Sequence, residues 1–197
     1  MAQKSSSESQ RVASDPRPKP LLPSPVLGML IFVIAELMMF GGLISAFAIV
    51  KAGALSWPPP GQPRLPIEAT ALNTAILLTS AWVLFRANRA FHLDPATAKR
   101  PLFIAIGLGT FFVGFQGYEW VSLIGHGLTL TSSNFGSFFY LIVGLHGLHA
   151  LAGLFVLSRS ATKLRRGVLA AGSFAGSQVL WYFVVGLWPV LYLLVYL

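Results

Sequence analysis

Gly144-Leu145-His146-Gly147-Leu148-His149-Ala150-Leu151-Ala152-Gly153 sits within an apolar run that extends from Asn134 to Ser158. Read as a helix at about 1.5 Å per residue, that run is longer than the roughly 30 Å hydrocarbon core of a bilayer. It carries two imidazoles three residues apart, with small residues at 144, 147, 150 and 153. In a helix the two histidines lie about 60° apart, one turn above each other. Such a face has two uses. It can ligate a metal or a haem, or it can form a close-packed seam whose polar side chains bond across to a neighbouring helix.

The composition excludes a soluble domain. Of 197 residues, 55% are hydrophobic and only 10% are charged, against about 25% charged in soluble domains. A core this small cannot hide that apolar surface, so lipid must cover it. There is no cysteine, which removes disulfides, thiolate metal sites and iron–sulfur clusters. The net charge of +8 does not point to nucleic acid. No basic run is interleaved with aromatics outside the apolar segments, and membrane proteins collect Lys and Arg on their cytoplasmic side.

Outward from the opening stretch, the chain divides into a polar tail and five spans. Residues 1–25 are rich in Ser, Pro, Lys and Arg, with no periodic apolar face, and are expected to be a disordered cytoplasmic tail. Pro16, Pro18, Pro20, Pro23 and Pro25 argue against a helix there. Five apolar runs follow, at about 26–50, 67–88, 102–124, 135–158 and 174–197, each long enough to cross a membrane. The first is not read as a cleaved signal despite Ala46-Phe47-Ala48, because it is too long and carries Glu36 at its centre. Twelve Lys and Arg fall on one side of the membrane and two on the other. The N-terminus is therefore expected in the cytoplasm and the C-terminus outside. The fold class expected is an all-α integral membrane protein, a five-helix bundle.

Polar groups inside such spans are costly, about 2.5 to 3.5 kcal/mol for a charge at mid-helix. Glu36 and His149 each lie about ten residues from the cytoplasmic end of their spans, so about 15 Å deep. They are expected to bond to each other, either as interhelical glue or as a proton relay. Gln116 and Glu119 form a second pair three residues apart. Gly107, Thr110, Gly114 and Gly117 make a small-residue stripe on the same span, which is read as a central packing helix. Arg86, Arg89, Lys99 and Arg100 are candidates for anionic lipid headgroups. The remaining histidines, His92 and His126, are expected in opposite aqueous loops, so neither can complete a mid-membrane metal site with His146 and His149. No metal is assigned to this chain.

Several motifs occur together and in order. They are Glu36-Leu37-Met38-Met39-Phe40, Trp57-Pro58-Pro59-Pro60-Gly61, Asn73-Thr74, Gln116-Gly117-Tyr118-Glu119-Trp120, Gly136-Ser137-Phe138-Phe139-Tyr140 and Gly144-Leu145-His146-Gly147-Leu148-His149. From about residue 26 onward the chain resembles subunit III of the haem–copper oxidases, with cytochrome c oxidase subunit III the nearest form. It looks like a short version without the first two of seven spans.

The resemblance implies a non-redox subunit of a respiratory terminal oxidase in the bacterial inner membrane. Such a subunit packs on subunit I, with subunit II and others in the complex, while haem and copper reside in partner subunits. It binds phospholipid, supports proton uptake and is not itself catalytic. The oxidase reduces oxygen to water and pumps protons. Glu36, Glu119, His146 and His149 match the family's helix carboxylates and paired histidines. The last span departs from the pattern, with Tyr182 where His is usual and Val185 where Asp is usual. A quinol oxidase, the related accessory of a nitric oxide reductase, and an independent membrane enzyme with a bis-His haem remain open at this point.

Overall fold

A computed structural model describes residues 23–197. It contains α1 (Ser24–Ala52), α2 (Ile67–Leu93), α3 (Lys99–Gly125), α4 (Asn134–Arg165) and α5 (Ala171–Leu191), the last continued by a π-helical turn, Tyr192–Tyr196. All five helices are long and apolar enough to cross a membrane, and no strand occurs among the described residues. The expected tail falls outside the described residues up to position 22. Its last residues are already in place: Pro23 caps α1, and Pro25 lies in its first turn, where a missing N–H breaks no helical bond.

The helices overrun the expected spans at their basic ends. Charge ends a segment's solubility in lipid but does not end a helix. The α2 helix continues through Arg86 and Arg89 until Asp94 turns extended (φ −153°, ψ 114°) ahead of Pro95, as a residue before proline tends to do. His92 therefore sits in the last turn of α2, and His126 is the C-cap of α3, rather than in loops. The α4 helix runs on to Arg165 and stops before Gly167, whose φ of +71° suits glycine. At its other end the Ser133 hydroxyl accepts from the Gly136 N–H at 3.1 Å, satisfying a donor that the first turn leaves free.

The centre of the bundle is α5, not α3. Helix α5 packs against α1, α2 and α4, whereas α3 packs chiefly on α2 and α4. No residue of α5 is charged. Its Trp181 and Trp188 are completely buried, and both find hydroxyls on α2. Trp181 Nε1 donates to Ser80 Oγ at 3.0 Å, and Trp188 Nε1 donates to Thr74 Oγ1 at 2.8 Å.

Close approach is likewise made by other glycines than the stripe. A Cβ added at Gly107, Gly114 or Gly117 would meet nothing within 4 Å, whereas one at Gly109 would lie 2.6 Å from the Trp181 ring and 2.9 Å from Leu154. The Thr110 hydroxyl bonds its own helix, at Ile106 O. On α4, Gly147 and Gly153 admit Trp120 and Trp181 at 3.1 and 3.0 Å from an added Cβ, while Gly144 faces open space. The stripe on α3 faces outward because the Trp181 ring of α5 selects the one glycine it needs.

This packing makes Gly109→Ala the telling substitution. It must displace a fully buried indole and is expected to destabilise the bundle by about 1 to 3 kcal/mol. Gly107→Ala, two residues away, is expected to be neutral or to stabilise by up to about 1 kcal/mol. Unfolding in mixed micelles compares the two.

Candidate functional site

One polar site joins α1 to α4. His149 Nε2 lies 3.1 Å from Glu36 Oε2, with the two side chains 11% and 15% exposed. The atoms are close enough for an ion pair, although they do not align as a hydrogen bond. The rings of Phe32, Phe40 and Phe183 stand 5.7 to 6.3 Å from the imidazole. They place the pair in apolar surroundings.

The other ring nitrogen fixes one proton. His149 Nδ1 is 2.8 Å from Leu145 O, and a carbonyl only accepts, so Nδ1 carries a proton. In a neutral imidazole Nε2 would then present a lone pair. Facing an ionised carboxylate at 3.1 Å, that arrangement is repulsive. A proton on Nε2 or on Glu36 would relieve that repulsion.

His146 does not share this site. It is 1% exposed, neither ring nitrogen has a protein partner, and its ring lies 5.1 Å from that of Trp188, tilted by 31°. The two histidines do not converge on a common ligand, since both nitrogens of His149 are engaged elsewhere. The bis-His haem reading has no geometry to support it. Val185 is buried. In sequence it falls between Phe183, which meets His149, and Trp188, which meets His146.

Gln116 and Glu119 belong to a larger network. Gln116 Nε2 donates to Tyr196 OH at 2.8 Å and approaches Glu119 Oε2 at 3.3 Å. From α2, Thr70 Oγ1 donates to Glu119 Oε2 at 3.2 Å, and Asn73 Nδ2 donates to Phe112 O at 3.1 Å. Sequence reasoning gave no role to Thr70 or Tyr196 and cited Asn73 only within a motif. A signal existed on α2. Thr70, Asn73, Thr74 and Ser80 are all buried and recur at helical spacing, marking a polar stripe that faces the bundle.

At the basic end, Arg86 and Arg100 line one cleft of about 380 Å³ between α2 and α3, with Trp82, Thr97 and Pro101 among its walls. The Arg86 guanidinium lies 5.2 Å from the Trp82 ring, within cation–π range. Arg89 and Lys99 are exposed near this end and do not line the cleft.

Fold and site define a multi-pass helical-bundle membrane protein with two separate polar sites. Among the described residues, no three His, Cys, Asp or Glu side chains gather as a metal cluster. Residues 24–197 match the family model for cytochrome c oxidase subunit III. The chain is 33% identical over 177 residues to cytochrome c oxidase subunit 3 of Thermostichus vulcanus, covering 87% of this chain and 86% of that one. The corresponding Synechocystis protein is 32% identical, covering 87% and 75%. A probable cytochrome c oxidase subunit 3 from Nocardia farcinica is 33% identical over 194 residues, covering 95% and 92%. The chain belongs to the cytochrome c oxidase subunit III family.

Proposed function

We propose that this chain is the non-redox third subunit of a bacterial respiratory haem–copper oxidase in the inner membrane. It stabilises subunit I, alongside subunit II, and supplies a proton-holding site near the cytoplasmic side. The observation that carries the proton role is the 3.1 Å contact between Glu36 and His149, a carboxyl against an imidazole whose other nitrogen is bonded to Leu145 O, an arrangement that one added proton would favour. A carboxylate that stored a proton for catalysis elsewhere would need this arrangement: depth in the membrane, apolar rings around it and a partner that can take the proton over. The names of the relatives favour cytochrome c, rather than quinol, as the complex's electron donor, and oxygen rather than nitric oxide as its substrate.

Orientation follows from charge. The starts of α1 and α5 share one end of the bundle, since a Cβ on Gly172 would lie 2.9 Å from Pro23. The α2–α3 connection, with Arg86, Arg89, Lys99 and Arg100, lies at that same end of an antiparallel bundle. That end is assigned to the cytoplasm. The cleft holding Arg86 and Arg100 suits an anionic phospholipid headgroup, with Trp82 beside the acyl region.

Replacing Glu36 with Gln in the whole oxidase keeps the size of the side chain. Its amide can donate to a neutral His149, so an added proton is no longer favoured. Proton pumping or resistance to turnover inactivation is expected to fall several-fold while the haem spectrum is unchanged. Wild-type turnover, pumping and resistance in Glu36→Gln would reduce Glu36 to a packing residue. For the cleft, Arg86→Ala with Arg100→Ala is expected to weaken retention of anionic lipid by about 2 kcal/mol, roughly 30-fold. Lipid analysis of the purified complex reads this directly; unchanged lipid content would leave the arginines as topology signals alone.

A further inference from the structure

A cleft of about 330 Å³ opens between α3 and α4, with Gln116 of the second polar network in its wall. Its walls include Phe112, Trp120, Trp188, Leu148 and His146, and Gly117 and Gly144 also line it. The walls are apolar and largely aromatic, so a cluster of waters would find few partners there. The exception is His146. It is almost wholly buried, and both its nitrogens lack a protein partner. Gln116, also in the wall, is already bonded to Tyr196, Asn73 and Glu119, whereas the Nε1 donor of Trp120, another lining residue, lacks a protein partner as His146 does.

A neutral imidazole needs one acceptor for its N–H and one donor for its bare nitrogen. A hydroxyl can serve either nitrogen, accepting from the one that carries hydrogen or donating to the bare one, but only one of them at a time because they point apart. His146 is twelve positions into α4 from Asn134, so about 18 Å from that end of the helix, below the depth of phospholipid headgroups. A phospholipid can send only an acyl chain to that level, and an acyl chain leaves the imidazole unpaired. Flat walls from three aromatic side chains favour a flat ring.

We propose that this cleft binds a membrane-soluble phenol or hydroquinone, its ring among Phe112, Trp120 and Trp188 and one hydroxyl on His146. The ligand enters sideways from the bilayer, where Gly117 and Gly144 leave the opening clear: an added Cβ at either meets no atom within 4 Å. This proposal does not rest on the proton role of Glu36.

The test uses the intact oxidase in nanodiscs and a diazirine-bearing alkylphenol as photolabel. The expected result is labelling of peptides from α3 and α4, suppressed by excess decyl-hydroquinone. Gly144→Leu, which fills the opening, and His146→Phe, which removes the bonding partner, should each bring labelling to background. Gly107→Leu, on the open face of α3 but outside the cleft, should leave it unchanged and controls for folding. Labelling that persists in Gly144→Leu, or that decyl-hydroquinone does not displace, would overturn the proposal. So would labelling that appears only after the partner subunits are stripped away, since a partner side chain would then be the occupant.

Discussion

Inside a bilayer no water is at hand to satisfy a buried polar group, and this constraint organises the molecule. Apolar burial does not draw one helix to another there, because lipid tails are as apolar as leucine. Close packing and hydrogen bonds must select which helices meet. In this chain the selection is made largely by α5. Its two indoles each find a hydroxyl on α2, and one of them presses into Gly109 on α3 and Gly153 on α4. Four helices are thereby fixed by contacts that leave no donor of either tryptophan unpaired.

The first helix is attached differently. Large side chains such as Ile31, Ile34 and Met38 are exposed along α1. Among its contacts with the rest of the bundle are Phe40, Phe47 and the Glu36–His149 pair. That pair sets a carboxyl 3.1 Å from an imidazole whose other nitrogen is bonded to Leu145 O. The contact that docks α1 is thus made by two titratable groups, unlike the indole–hydroxyl bonds that join α5 to α2.

The helices were legible in the sequence because length and charge alone mark a span. Their ends were not, since arginines at 86, 89, 159 and 165 leave the lipid without leaving the helix. The depth of Glu36 and His149 could be read from residue counts, because both lie a similar distance from ends on the same side. The faces could not. Choosing Gly109 over Gly107 requires knowing where Trp181 stands, and linking Gln116 to Tyr196 spans 80 residues. The two histidines illustrate both halves. Their spacing suggests a pair, yet three residues turn one towards α1 and leave the other against Trp188.

The central claim is that this bundle works as part of an oxidase and does not act alone. Gentle solubilisation of native membranes, followed by isolation through an affinity tag on this chain, tests it most directly. The account predicts co-isolation of a haem- and copper-bearing partner, with oxygen-reducing activity and no haem retained by this chain once the partner is removed. Isolation of the chain by itself, or with a haem that is lost on replacing His146 or His149, would contradict it.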